Sequence, residues 1–257
     1  MEALVRLIGE NQVFLFMLLF ARLSGLFAFF PFFSHMSIPI SIKTALTIFM
    51  VIFLFPLVPP LHVTPSLLSL SLAVTGELLI GFVAGLFLTI VLSVLQMAGM
   101  QISNVMGFTM ASVIDPQTST SIPLVSQFLS LIGLMVVLAF NGHHQMLLFI
   151  SDSLQVMPLG SFYPQTNILS YLAKAITNMF AYGFVLSFPI VAISLLLDLV
   201  FGMLMKTMPQ FNLLVIGFPV KIVVSFIVLV AILSSMMLIF KKEFLEAINH
   251  MTLLFVH

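Results

Sequence analysis

The stretch ELLIGFVAGLFLTIVLSVLQMAGMQIS, Glu77–Ser103, decides the fold. It continues an apolar run that opens near Leu67, and no breaker stronger than a single glycine interrupts it. As one helix it would be about 40 Å long, more than the roughly 30 Å hydrocarbon core of a bilayer. With residues about 100° apart, Glu77, Gly81, Gly85, Gln96, Gly99 and Ser103 fall in an arc of roughly 100°. A stripe of small and polar residues on so apolar a helix should face a partner helix. Gly81 and Gly85, in GFVAG, form a small-xxx-small pair that lets a second backbone come close. The plainer reading is a chance GxxxG in a glycine-rich helix.

The rest of the chain is of the same kind. Of 257 residues, 61% are hydrophobic and 6% charged, and mean hydropathy is +1.29. A soluble domain carries about a quarter charged residues. Spanning segments run near Val13–Phe33, Ile42–Leu61, Leu67–Gly99, Pro123–Phe140, Tyr171–Val200 and Leu213–Phe240. No strand-like alternation recurs, so the fold class is an all-α membrane protein and not a β-barrel. No polar run is long enough to fold as a separate domain. The net charge of zero gives no reason to expect nucleic acid. Cysteine is absent, which excludes disulfides, thiol nucleophiles and thiolate metal sites. The start, MEALVRLIGENQ, lacks a basic n-region and a small-residue cleavage site, so the first helix reads as retained.

A simple six-span bundle does not fit. Arg6, Lys241 and Lys242 would lie on one side, Lys43 and Lys206 on the other, too weak a bias to orient the chain. Pro56 interrupts the second segment and Pro189 the fifth. Tryptophan is absent and tyrosine rare, so interface anchors are missing. Segments buried largely in other protein, and not in lipid, account for all of this.

Four ionisable residues interrupt apolar segments: Arg22, Glu77, Asp198 and Lys221. One reading is an ion or proton pathway; the other is pairing between helices or subunits. Ser194, Asp198, Gly202 and Lys206 recur every fourth residue, and the chain turns through MPQFN, Met208–Asn212, and returns through GFPVK, Gly217–Lys221. This predicts a tight helical hairpin in which Asp198 and Lys221, on opposite arms, can pair. His143 and His144 point about 100° apart on a helix and have no carboxylate cluster nearby, so they read as a turn after a helix stopped by Asn141–Gly142, and no metal is expected. No GxSxG, Walker-type loop or paired catalytic aspartates appear, so neither an enzyme nor a cofactor is expected.

Between two of the most hydrophobic segments lies MGFTMASVIDPQTSTSIP, Met106–Pro123. Gly107, Asp115–Pro116, a run of hydroxyl residues and Pro123 make it a loop. Its first half is nevertheless apolar, with Phe108, Met110, Val113 and Ile114. Met97, Met100, Met106 and Met110 bracket it. Methionine is commonly a core gap-filler, but a soft side chain also suits a deformable hydrophobic seal, which blocks a pore by dewetting.

The order of motifs along nearly the whole chain resembles the FliR/SctT family of type III export-gate proteins. The matching pieces are ARLSGLFAFFPFF (Ala21–Phe33) with Pro39 and Lys43, GELLIGFVAGL (Gly76–Leu86), QMAGMQI (Gln96–Ile102), Asp115–Pro116, NGHH (Asn141–His144), Phe188–Pro189, PQFN (Pro209–Asn212) and IGFPVK (Ile216–Lys221). The resemblance implies kinked helical hairpins, like a fusion of the partners FliP and FliQ, packed into a hetero-oligomeric gate. Residues 1–170 would be the FliP-like part and 171–257 the FliQ-like hairpin. It implies a bacterial inner-membrane location in the flagellar basal body, with much of the gate at the periplasmic side, unfolded flagellar subunits as cargo, and FlhB as a further partner. It also implies that the loop before the Asp-Pro pair, here Gly107–Ile114, plugs the pore, with Met106, Asp115 and Pro116 flanking it and Thr118–Ser121 as a hinge. Relatives often carry Phe where this chain has Met110 and Val113. Arg22, Glu77, Gly81, Gly85, Gln96, Gly99, Asp198 and Lys221 are expected to make helix or partner contacts. Three other functions remain open: an injectisome gate subunit, a proton-coupled secondary transporter using Glu77 and Asp198, and a scaffold that lines no pore.

Overall fold

The computed structural model describes residues 10–29, 39–59, 67–107, 123–160, 168–208 and 213–256. Its elements are helical throughout: α1 Glu10–Phe29, α2 Ile40–Leu54 with a 3-10 turn Phe55–Leu57, α3 Leu67–Met106, α4 Leu124–Ala139, α5 Gly142–Val156, α6 Ile168–Thr207, a π-turn Leu213–Gly217, and α7 Phe218–Val256. Among the described residues, five helices are long and apolar enough to cross a membrane, and α4 with α5, separated by a bend, would make a sixth span. The chain is an all-α membrane protein.

Prolines and glycines set the boundaries. Pro39 and Pro123 stand immediately before α2 and α4, where a missing N–H costs nothing and a fixed φ suits the first turn. Pro56 ends α2 in the 3-10 turn. Pro189 does not interrupt the fifth segment as expected. It stands inside α6, which runs for 40 residues. An apolar environment offers the backbone no water to bond, so keeping the remaining helical hydrogen bonds outweighs the one that proline removes. The third segment is also longer than its apolar reading: α3 is 40 residues, about 60 Å.

One helix is absent from the apolar segments of the sequence. His143 and His144 were expected in a turn, and they lie in the first turn of α5. Asn141 is the stop, at φ 58, but the chain re-enters a helix at the next residue. Gln145, Ser151, Asp152, Ser153 and Gln155 keep α5 from reading as a span. It is amphipathic: Met146, Phe149, Ile150, Ser153 and Leu154 are buried, at helical spacing.

The chain divides into two compact units. The first draws on Met1–Val91, Asn141–Ala173 and Leu245–His257, the second on Leu92–Phe140 and Lys174–Phe244. In the first, α2 packs on α1, with the Phe16 and Phe55 rings 6.1 Å apart. The first part of α3 lies against α1, where Phe29 meets Phe82 edge-on at 4.6 Å. In the second, Phe140, Phe240 and Phe244 form a cluster with centroid separations of 5.4 and 6.2 Å, and Lys241 lies 5.6 Å over the Phe140 ring.

Candidate functional site

Arg22 and Glu77 form an ion pair buried to 3% and 0% exposure. Arg22 Nε donates to Glu77 Oε2. The rest of the guanidinium closes the end of α5: Nη1 donates to the Ser153 carbonyl at 3.2 Å and its hydroxyl at 3.4 Å, and Nη2 to the Met157 carbonyl at 3.0 Å. The other carboxylate oxygen, Glu77 Oε1, accepts from the Gly160 backbone N–H at 2.8 Å. A cation at a helix C-terminus satisfies orphan carbonyls and complements the dipole. One pair of charges thus ties together α1, α3 and the turn after α5. Sequence reasoning singled out both residues but paired neither with the other. The missing signal was α5, whose terminal carbonyls supply half the donors' partners.

The stripe on α3 meets two helices of this same chain. In the first unit, a Cβ on Gly81 would run into the Arg22 carbonyl oxygen, and one on Gly85 would lie 2.7 Å from the Leu26 carbonyl oxygen. Gly25 returns the fit from α1, where a Cβ would collide with the Leu78 carbonyl. Backbones touch directly here. Thr89 Oγ1 adds a hydrogen bond to the Phe29 carbonyl at 2.7 Å. In the second unit, Gly99 faces the backbone of Ser126 on α4, and Ser126 Oγ donates to the Gln96 carbonyl at 2.8 Å. The Gln96 side chain itself is exposed, so only its backbone takes part. Ser103 is fully buried, with no hydrogen-bond partner for its hydroxyl among the described residues.

At the end of α3, Met106 is fully buried. Gly107 follows at φ +85 and donates to the Asn104 carbonyl at 3.2 Å, a left-handed helix stop. A Cβ there would sit 2.8 Å from the Phe218 ring at the start of α7. Phe108, Met110, Val113, Ile114, Asp115 and Pro116, with the hinge Thr118–Ser121, lie outside the described residues.

Asp198 and Lys221 are brought together across the α6–α7 hairpin. Lys221 Nζ donates to both Asp198 oxygens at 2.7 Å. Four residues along each arm, the buried Ser194 and Ser225 hydroxyls are 3.1 Å apart. The lysine is buried while the aspartate side chain is 52% exposed. The residues of the MPQFN turn beyond Met208 lie outside the described residues.

The profile of the family described as bacterial export proteins, family 1, matches residues 13–247. The flagellar biosynthetic protein FliR of Bacillus subtilis (strain 168) is 33% identical over 242 residues, 92% of each chain. The FliR of Escherichia coli (strain K12) is 28% identical, over 89% of this chain and 87% of its own. That of Aquifex aeolicus (strain VF5) is 26% identical over 92% of each. With a family match across most of its length, the chain belongs to the bacterial export proteins of family 1, the family of flagellar FliR.

Proposed function

We propose that the chain helps form the conduit through which unfolded flagellar subunits leave the cell, and that the loop Gly107–Ile114 holds that conduit closed. The chain is a flagellar export subunit of an all-α membrane type, as its family and its apolar helices establish. The finer reading rests on one observation. Both ends of the loop are anchored within the second unit: Met106 is buried and Gly107 packs against Phe218, and α4 follows Pro123 with Ser126 in its first turn bonded to α3. Between them runs an apolar sequence, Phe108, Met110, Val113 and Ile114, which fits a hydrophobic constriction. Asp115 and Pro116 end that apolar half.

FliP, FliQ and FlhB are the partners in this reading, with residues 1–170 in the FliP-like role and 171–257 in the FliQ-like role. The assembly belongs in the bacterial inner membrane, much of it toward the periplasm. The work is positional, without a catalytic step or cofactor. Glu77 and Asp198, the groups a proton-coupled transporter would use, are both held by cations, which favours the gate over the transporter. The chain lacks cysteine, so a single Met110→Cys or Val113→Cys change gives one crosslinking handle. With an export substrate stalled by a folded C-terminal tag, that handle should form a disulfide with a cysteine placed in the stalled segment. Crosslinks only from exposed surface positions, and none from 110 or 113, would refute the pore-loop assignment.

A further inference from the structure

The Asp198–Lys221 pair of the α6–α7 hairpin is lopsided: the lysine is buried and the carboxylate is half-exposed. Lys221 Nζ donates to both carboxylate oxygens at 2.7 Å. An ionised carboxylate has about four acceptor positions. Among the described residues nothing else bonds Asp198, so its outward side presents acceptors that Lys221 leaves unfilled.

The face around it combines charge, open space and apolar bulk. With residues about 100° apart, Leu195, Asp198, Leu199, Gly202 and Lys206 fall in an arc of roughly 100° on α6, and all five are exposed. Gly202 stands midway between the acid and the base, one turn from each. Gly81, Gly85, Gly99 and Gly183 each lie so near another helix that an added Cβ would collide with it. A Cβ on Gly202 would meet nothing within 4 Å. The strip therefore runs acid, gap, base in four-residue steps, about 12 Å from end to end, beside large apolar side chains.

Neither water nor acyl chains suit such a strip. Water leaves Leu195 and Leu199 uncovered, and acyl chains leave Asp198 and Lys206 without opposite charges. A helix of another protein meets both demands, because an apolar face can carry the complementary charges. We propose that this strip of α6 docks an apolar helix of a neighbouring export subunit, which sets a lysine or arginine against Asp198, approaches closest at Gly202 and carries an acid opposite Lys206. Lys221 holds the carboxylate in place beforehand, so docking has few groups left to order. The two charge contacts fix the partner's register and direction. The inference deepens the export-subunit reading by naming the chemistry of one partner contact. It rests on assembly with other export subunits and not on the loop Gly107–Ile114.

The test uses the full chain, tagged and co-expressed with its export partners, isolated from membranes in mild detergent, with the co-isolated subunits quantified by mass spectrometry. The double exchange Asp198→Lys with Lys221→Asp keeps a pair inside the hairpin but turns the cation outward. Gly202→Leu leaves the pair intact and fills the gap, where the chain itself has no atom to disturb. Expressed alone, both variants should be recovered from membranes in the amount of the unaltered chain. With the partners present, co-isolation should fall about tenfold for each, since like charges or a lost close approach at a desolvated contact oppose binding. A pair that served only the hairpin would tolerate the exchange. Normal co-isolation of either variant would overturn the proposal and leave the strip to water or headgroups. Should the exchanged chain fail to accumulate alone, Gly202→Leu decides. An unaltered chain that brings down no export subunit would refute the assembly reading itself, and this docking with it.

Discussion

Arg22 and Glu77 sit in apolar helices where neither charge would be tolerated alone, and each is held by more than the other. Truncating one member of a buried, hydrogen-bonded pair leaves an unpaired charge, which costs about 3–5 kcal/mol. Glu77→Gln should therefore sharply lower the amount of chain recovered from membranes. Asp198→Asn should cost much less, because that carboxylate is half in solvent. Quantitative blotting of membrane fractions checks the order, and equal losses would contradict it. The glycines give a matched contrast. Gly81→Ala forces a Cβ into the Arg22 backbone, an overpacking cost of about 1–3 kcal/mol. Gly202 is also helical, but nothing lies within 4 Å of an added Cβ, so Gly202→Ala should stabilise α6 by about 0.5–1 kcal/mol. Thermal unfolding in detergent should show the two changes with opposite signs.

At the scale of elements, what was legible followed from long apolar runs. The spans, the antiparallel hairpin and the packing stripe on α3 could be read because lipid-like segments leave few positions for polar or small residues, and those few then stand out. α5 could not be read the same way. It is short, amphipathic and interrupted by Asp152 and two serines, and its significance lies in backbone carbonyls that carry no sequence signal. That is also why Arg22 and Glu77 were noticed as charges but not recognised as partners, whereas Asp198 and Lys221 were, since a hairpin brings neighbours in sequence together. Pro189 misled for a related reason: a proline breaks helices in water more readily than in an apolar surround. Gly107→Ala tests the α3 stop. Left-handed φ and the Phe218 ring both oppose a side chain there, so the change should destabilise by about 1 kcal/mol or more. Limited proteolysis near residues 107–123 should then speed up, and an unchanged cleavage rate would mean the stop is not constrained.

For the whole molecule, direct backbone contacts, ion pairs and aromatic contacts hold the described helices of each unit, and the apolar sequence Gly107–Ile114 runs on from the end of α3. A loop proposed as a seal should be removable without unfolding the rest. The most direct measurement is the membrane potential of cells that express the chain with its export partners, with and without deletion of Gly107–Ile114. A loss of potential that appears only with the deletion, and only when the partners are present, is what a pore closed by this loop predicts. An unchanged potential, with the shortened chain assembled in normal amounts, would contradict it.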